Sequence, residues 1–225
     1  MMELNENVLQ VLKNFAGINS NIVINEGSEI RTMSEARNIL ASAKINQSFP
    51  KTFGIYDLNE LLNVLSLVDS PRLRFEDRNM LIGDSSGRST VKYFFTDTDM
   101  LTQPPSTFNM PEAEIKLEIS NDVLNKIKRA ASALGHSELA ITPNDGSISL
   151  TVRDSENPTS NTFTIDVPGA YGNANFCFIC KISALRLLPG DYNVQISSKN
   201  ISHFTNKEGN VEYYIALEKN SEYGE

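Results

Sequence analysis

Apolar side chains recur at helical spacing in residues 120–135. At about 100° per residue the apolar positions share one arc, namely Val123, Leu124, Ile127, Ala130, Ala131 and Leu134. Polar and basic positions share the opposite arc, namely Asn125, Lys126, Lys128, Arg129 and Ser132. Ser120 or Asn121 is suited to cap the first turn, and Gly135 supplies a stop. The pattern predicts an amphipathic helix with a basic outer face.

A similar pattern occupies residues 5–17, near the start of the chain. A shift of 115 residues lays Val8 on Val123 and Lys13 on Lys128. Later in the chain, a shift of 120 lays residues 91–94 on residues 211–214. These matches favour a tandem repeat, with offsets that drift where loops differ in length.

Between and after the two helices the chain is rich in short β-type runs. The first half has runs at 22–24, 30–32, 39–45 and 49–55, a helix at 57–67, and runs at 73–75, 80–82 and 91–95. The second half has a run at 115–119, the basic helix, runs at 139–142, 148–152, 163–167 and 176–179, a short helix at 180–188, and runs at 192–196, 201–204 and 211–217. The repeated order predicts an α+β chain whose amphipathic helices pack on one face of antiparallel sheets.

A proline-rich segment separates the two halves. Residues 96–114 carry three prolines and no periodicity, which indicates an extended connector. We therefore expect one domain in residues 1–96, a connector in residues 97–113 and a second domain in residues 114–225.

Composition limits how this chain could contact nucleic acid. The 225 residues are 40% hydrophobic and carry a formal net charge of −8, so any DNA contact must be local. No run approaches a membrane span, and the N-terminal residues do not resemble a signal peptide. Cys177 and Cys180 are too few for a disulfide framework. These features favour a protein of the cytosol.

Few residues suggest catalytic chemistry. Cys177 and Cys180 form a lone C-x-x-C pair, and His136 and His203 lie far from it in sequence, which argues against a metal site. The chain has no Walker loop, no G-x-G-x-x-G and no G-x-S-x-G. We therefore expect no enzymatic activity and no cofactor. A carboxylate-dependent hydrolase remains an alternative.

Several runs together resemble the DNA polymerase sliding clamps of T-even-type bacteriophages. They are LKNFAGINSNIVI (12–24), IYDLNELLNVLSLV (55–68), RSTV (88–91), LPGDYNV (188–194) and YYIALE (213–218). The resemblance implies tandem duplicated clamp domains that form a ring-shaped homotrimer around duplex DNA, with helices lining the hole.

The resemblance and the basic helix faces together suggest a set of DNA-facing residues. It consists of Lys13, Lys126, Lys128, Arg129, Lys181 and Arg186, the last two in the predicted fourth helix. The alternative is an ordinary solvated helix face. The predicted helix at 57–67 carries no basic residue and would add no attraction.

The resemblance also implies two kinds of protein contact. Strand edges at 90–95 and 162–167 would meet between subunits, with Val91, Tyr93, Phe95, Phe163 and Ile165 at the contact; ordinary half-buried strand positions are the alternative. Partner peptides would dock in an apolar pocket near the connector, lined by Leu101, Phe108, Met110 and Tyr214. Packing of the connector onto its own domains is the alternative there.

The function implied is a processivity factor in the cytoplasm of the infected bacterium. Its partners would be duplex DNA, the DNA polymerase, a separate clamp-loader ATPase and late-transcription factors, with no membrane. A ring-forming, β-rich virion structural or assembly protein without DNA binding is the alternative from a different class.

Overall fold

The computed structural model describes residues 1–84, 86 and 88–224. The chain divides into two compact units, Met1–Ser106 and Thr107–Glu225. None of the described helices is long and apolar enough to cross a membrane.

The described residues of unit 1 form two α-helices and eight strands. In chain order these are β1 (Met2–Glu3), α1 (Glu6–Ala16), β2 (Ile22–Ile24), β3 (Gly27–Met33), β4 (Ile39–Phe49), β5 (Phe53–Ile55), α2 (Leu58–Ser66), β6 (Arg72–Phe75), β7 (Asn79–Gly83) and β8 (Thr90–Phe94). Strands β1, β6, β7 and β8 form one antiparallel sheet in that order, β3 pairs with β4, and β2 pairs with β5. A single 3-10 turn, Thr98–Met100, follows β8.

Through residue 224, unit 2 has one α-helix and nine strands. In chain order these are β9 (Ile115–Ile119), α3 (Asn121–Leu134), β10 (Glu138–Asn144), β11 (Ser147–Arg153), β12 (Phe163–Ala170), β13 (Asn175–Lys181), β14 (Tyr192–Ser197), β15 (Ile201–Asn206), β16 (Val211–Ala216) and β17 (Glu222–Gly224). They pair in the order β17-β13-β10-β11-β12-β9-β14-β15-β16. Each of these pairings is antiparallel.

The predicted duplication is confirmed in the order of the elements. Helix α1 is followed by four strands, α2 and three strands, and α3 is followed by four strands, a 3-10 turn and further strands. Both long helices begin at a side-chain cap, because Asn5 accepts from the Val8 N–H at 3.0 Å and Ser120 from the Val123 N–H at 3.3 Å. Gly135 ends α3 in the left-handed conformation, with φ 71°.

The prediction of a fourth helix at 180–188 is wrong. Strand β13 runs through Lys181, because Lys181 is still paired with Glu138 of β10, and only one 3-10 turn follows at Ile182–Ala184. Cys180 and Lys181, the first residues of the predicted helix, are therefore part of strand β13. The few residues left before Pro189 are too short a segment to form a stable helix.

Each helix buries its apolar stripe against its own unit. The buried residues of α1 are Val8, Val11, Leu12 and Phe15, those of α2 are Leu58, Leu61 and Leu65, and those of α3 are Leu124, Ile127 and Ala131. On β11 every second residue is fully buried, namely Ile148, Leu150 and Val152, and α3 lies over β11 and β12. This packing leaves the opposite face of α3 to solvent.

Gly54 allows β5 to approach the segment after β8. The Thr96 N–H donates to the Gly54 carbonyl at 2.9 Å, and a Cβ on Gly54 would collide with the Thr96 carbonyl oxygen and lie 2.8 Å from Leu101 Cδ1.

We predict that Gly54→Ala lowers the free energy of unfolding by about 1–3 kcal/mol, measured by urea denaturation. Gly224→Ala is the control, because nothing lies within 4 Å of the added methyl group. Equal midpoints for the two variants would contradict the close approach.

Candidate functional site

The basic face of α3 is centred on Arg129. Arg129 is exposed and lies opposite the buried stripe of the helix. Lys126 is on one flank, where its ammonium lies 2.7 Å from Asp122 Oδ2 and its side chain is 43% exposed. Lys128 is half-buried on the other flank, and this burial lowers its pKa. Helix α3 therefore presents three cations and one acid across its solvent side.

The two helices of unit 1 contribute less positive charge. Lys13 is exposed in the last turn of α1, a position that the helix dipole favours. Helix α2 has no basic residue in its last turn, and the Glu60 carboxylate accepts from the Tyr93 hydroxyl at 3.4 Å. Burial, with a smaller contribution from Glu60, raises the pKa of Tyr93 to about 12. The solvent side of α2 is therefore neutral or acidic.

Lys181 and Arg186 lie outside any α-helix. Lys181 is the last residue of β13, and its ammonium lies 2.8 Å from Glu138 Oε1. The hydrogen bond to Lys181 lowers the pKa of Glu138, whose side chain is only 12% exposed. Arg186 is exposed beyond the 3-10 turn, and its Nε donates to the Ser183 carbonyl at 3.1 Å. The Lys181 ammonium is therefore engaged in an ion pair with Glu138 within unit 2.

In each unit some strands have a side without a paired neighbour, which we call an open edge. Within residues 1–84, 86 and 88–224, β8 pairs only with β7. Strand β12 pairs with β11 along Phe163–Pro168 but with β9 only at Gly169 and Ala170. The open edges therefore include β8 and the first part of β12, where the sequence predicts subunit contacts.

The predicted contact residues share one face of these two strands. Val91, Phe95, Phe163 and Ile165 are half-buried, as expected for apolar residues at the rim of a sheet. Tyr93 is 9% exposed, and its hydroxyl donates to the Asp57 carbonyl at 3.3 Å. The side chain of Tyr93 therefore belongs to the interior of unit 1, and its backbone lies at the open edge.

The predicted peptide pocket is divided between the two units. Leu101 is buried in unit 1. In unit 2 the Phe108 and Tyr214 rings are 4.6 Å apart between centroids, and Met110 is half-buried. Phe108 is 37% exposed. The structure thus brings Phe108 and Tyr214 together and assigns Leu101 to the core of its own unit.

Sequence reasoning missed two polar members of this aromatic group. The His203 ring stacks on Tyr214 with centroids 4.2 Å apart, and its Nε2 lies 2.9 Å from Glu212 Oε2. The Tyr214 hydroxyl donates to the same Glu212 oxygen at 3.3 Å. His203 and Tyr214 are directly paired on β15 and β16, so the alternation of these strands was the signal that could have placed them together.

The cysteines form no disulfide. Cys180 is buried, and burial raises the pKa of its thiol to about 12, while the half-buried Cys177 sulfur accepts from Arg153 Nη2 at 3.5 Å. In the described part of the chain no three His, Cys, Asp or Glu residues lie close enough together to hold a metal ion.

Comparison with known families matches nearly the whole chain. Residues 5–95 match the family described as DNA polymerase processivity factor, and residues 114–219 match the family described as gp45 sliding clamp, C terminal. The chain is 34% identical over 223 residues to the sliding clamp of Vibrio phage KVP40, which covers 96% of this chain and 99% of that protein. It is 30% identical to the sliding clamp of Enterobacteria phage T4, with 98% of each chain covered.

Solved structures with the same fold share little sequence with this chain. One is the A. fulgidus PCNA with the C-terminal region of FEN-1 bound, with a TM-score of 0.71 at 13% identity. That match covers 96% of this chain and 97% of the PCNA chain. The likeness in fold therefore extends over both units.

Replacing two lysines by methionine compares the stability contributed by the Lys181–Glu138 ion pair with that contributed by the exposed Lys126–Asp122 pair. Lys181→Met leaves the buried Glu138 carboxylate without this cation, and we predict that it lowers the free energy of unfolding by about 1 kcal/mol. A fully buried ion pair would contribute more, but the Lys181 side chain is 39% exposed. Lys126→Met breaks only an exposed ion pair on α3, so its free energy of unfolding should stay within about 0.5 kcal/mol of the wild-type value. Urea denaturation at neutral pH measures both.

The Lys181 effect should also depend on pH. The pKa of Glu138 is lower in the folded state than the value of about 4.3 expected in the unfolded chain. The ion pair therefore stabilises the protein fully at pH values above the unfolded-state pKa, and this stabilisation is lost as the pH falls through the folded-state pKa. The difference between the wild type and Lys181→Met should therefore shrink in acid. A difference that is absent at neutral pH would contradict a stabilising role for the pair.

Proposed function

This chain belongs to the sliding-clamp family of T4-type phages, which are DNA polymerase processivity factors, and we propose that three copies close head to tail into a ring around duplex DNA. The observation that carries this proposal is the basic outer face of α3 in a chain of net charge −8. A closed ring holds DNA by topology, so a small basic lining is sufficient. The remaining surface is then free to be acidic.

The DNA-facing residues that we propose are Lys13, Lys126, Lys128, Arg129 and Arg186. Their ammonium and guanidinium groups attract phosphates without reading sequence, and salt screens this attraction. Lys181 is left out because its ammonium is held by Glu138 at 2.8 Å. The neutral or acidic side of α2 supports sliding, since it makes no strong phosphate contact.

The same proposal assigns the chemistry of replication to other proteins. The clamp tethers the polymerase near the primer end, which raises its effective concentration there. A separate clamp-loader ATPase opens the ring, since the sequence has no phosphate-binding loop of its own. Late-transcription factors are further partners, and the site of action is the cytoplasm of the infected bacterium.

Partner tails would dock on the aromatic group of unit 2. Phe108, Met110 and Tyr214 offer partly exposed apolar surface, and Glu212 and His203 lie beside it. A related fold, the A. fulgidus PCNA, has the C-terminal region of FEN-1 bound. A C-terminal peptide with an apolar or aromatic anchor is the partner chemistry that fits this surface.

A double charge reversal on α3 tests the DNA-binding function. We predict that Lys126→Glu with Arg129→Glu reduces clamp-dependent stimulation of the phage polymerase roughly 10-fold or more at physiological salt, because attraction to phosphates becomes repulsion. The measurement is product length in primer extension with the clamp loader present. Lys219→Glu, an exposed lysine in the turn before β17, is the control.

The alternative virion protein makes the opposite prediction. If the α3 variant folds and associates normally but stimulates as well as the Lys219→Glu control does, α3 does not face DNA. A ring-forming assembly protein would then be the better account.

Removing the Tyr214 ring tests the peptide site. We predict that Tyr214→Ala weakens binding of a fluorescent peptide from the polymerase C terminus roughly 10- to 30-fold, as for an aromatic hot spot. Fluorescence anisotropy measures the dissociation constant. Tyr56→Ala is the matched control, because Tyr56 is 72% exposed in unit 1. Equal affinities for both variants would place the peptide site elsewhere.

A further inference from the structure

We infer that His203 and Glu212 are positioning residues for Tyr214: they hold its ring in place for a docking peptide, and protonation of His203 strengthens this hold. The inference rests on the peptide site proposed above and deepens it, because it names what orients the aromatic anchor and makes the affinity depend on pH. The partner is the same C-terminal peptide with an apolar or aromatic anchor.

Strand pairing brings the His203 and Tyr214 rings together. His203 of β15 lies directly opposite Tyr214 of β16, and Thr205 lies opposite Glu212. These two pairs are two residues apart along their strands, so all four side chains share one face of the sheet. The Tyr214 ring is parallel to the His203 ring, with centroids 4.2 Å apart and an angle of 1° between the planes. The stack therefore fixes the orientation of the Tyr214 ring.

One carboxylate oxygen connects the two rings. Glu212 Oε2 accepts from the Tyr214 hydroxyl at 3.3 Å and lies 2.9 Å from His203 Nε2, which is also 3.3 Å from Thr205 Oγ1. An ionised carboxylate can only accept, so the His203 nitrogen that faces it carries a proton. Rotation of Tyr214 away from His203 would therefore break the stack and the hydrogen bond to Glu212 together.

The contacts that hold Tyr214 are partly shielded from water. The His203 side chain is 16% exposed and the Glu212 side chain is 39% exposed. Hydrogen bonds to a charged group are stronger where water competes less for them. The Phe108 ring also packs against Tyr214, with centroids 4.6 Å apart and an angle of 56° between the planes. Tyr214 itself is half-buried and so keeps surface for a peptide.

A fixed ring favours peptide binding for an entropic reason. An aromatic side chain that already occupies its binding conformation loses less conformational freedom when the partner docks. Ordering one side chain on binding weakens affinity by up to roughly 10-fold. Without His203 and Glu212, the peptide would have to order Tyr214 itself. The two residues therefore contribute to affinity through Tyr214.

Protonation of His203 changes the charge of this group. Histidine is the side chain whose ordinary change of charge falls between pH 5 and 8. A protonated His203 forms an ion pair with Glu212 and places a cation on the face of the Tyr214 ring. It also balances the negative charge of Glu212, which reduces repulsion of the terminal carboxylate of a peptide. Both effects tighten peptide binding as the pH falls.

The strands that flank β15 add no competing charge on this face. His203 lies opposite the uncharged Gln195 on β14. Lys116 and Glu118 lie on β9, two strands away from His203. Of the described side chains of β14 and β16 on this face, Glu212 is the one that carries a charge at neutral pH. The charge state of His203 is therefore felt mainly by Glu212 and Tyr214.

Substitution of each of the two histidines tests the positioning role. We expect His203→Ala to weaken binding of the fluorescent peptide from the polymerase C terminus roughly 3- to 10-fold at pH 7, because the stack is lost. His203→Phe keeps a stacked ring and should bind within roughly 2-fold of the wild type. His136→Ala is the matched control, because His136 lies after α3, where its Nε2 is 2.7 Å from the Asn161 carbonyl oxygen. Fluorescence anisotropy with the full chain measures each dissociation constant.

The pH profile is a readout that a purely structural contact would not change. For the wild type and His136→Ala, we expect the affinity to rise roughly 3- to 10-fold from pH 8 to pH 6. The profile should be flat for His203→Phe, which cannot be protonated, and shallower for Glu212→Gln, which offers no charge to the imidazolium. Urea denaturation shows whether each variant is folded across this range. The wild-type and His203→Phe profiles decide the question if His203→Ala does not fold.

The outcomes separate this inference from the peptide site on which it rests. A wild-type affinity that does not change with pH, or a His203→Phe variant with the wild-type profile, would overturn the positioning role. If Tyr214→Ala loses binding while the His203 variants bind normally, the peptide site is kept and only the role of His203 and Glu212 is overturned. Normal affinity of Tyr214→Ala would remove the site itself and the inference with it.

Discussion

Antiparallel strand pairing is the constraint on which the rest of this structure depends. Each unit pairs most of its strands internally, and the open edges that remain include β8 in unit 1 and the start of β12 in unit 2. Open edges invite association with any exposed strand, and proteins limit this by keeping edges short and charged. Here β8 has five residues with Lys92 at its centre, and Pro168 lies within β12 where its open edge ends.

Electrostatics explains how an acidic chain can act on DNA. The basic residues of α3 are arranged around Arg129, whereas α2 has none, so attraction to the duplex would be uneven and modest. Strong, close phosphate contacts would oppose sliding, and weak ones suffice when a ring prevents escape. Two of the lysines also form ion pairs within the chain. Lys181 neutralises Glu138 and Lys126 is shared with Asp122, which makes Arg129 the most accessible cation of the helix face.

Helices with a clear periodic stripe were predictable from the sequence, and so was the duplicated order of elements. The stripe of α3 and its boundaries at Ser120 and Gly135 follow from local rules of packing and capping. The segment after Phe178 was not predictable in this way. An apolar run of that length suits either a helix or a strand, and the pairing of Lys181 with Glu138, distant in sequence, decided for the strand. The same pairing places the Lys181 ammonium beside Glu138.

Contacts across strands also explain the residues that sequence reasoning missed. His203 and Glu212 join Tyr214 only because β15 and β16 pair in one register, which no single segment specifies. Leu101 and Phe108 lie in the same connector, yet Leu101 is buried in unit 1 and Phe108 packs against Tyr214 in unit 2. Local sequence thus indicates where exposed apolar residues occur. Which of them form a shared surface depends on the assembled sheets.

The most direct test of the central claim is sedimentation velocity of the unmodified protein over a range of concentrations. A closed ring predicts a species of three times the 25.0 kDa chain mass, with the frictional drag of a flat, hollow particle. A compact single chain at every concentration, or a species that grows without limit, would contradict a ring closed by two complementary strand edges.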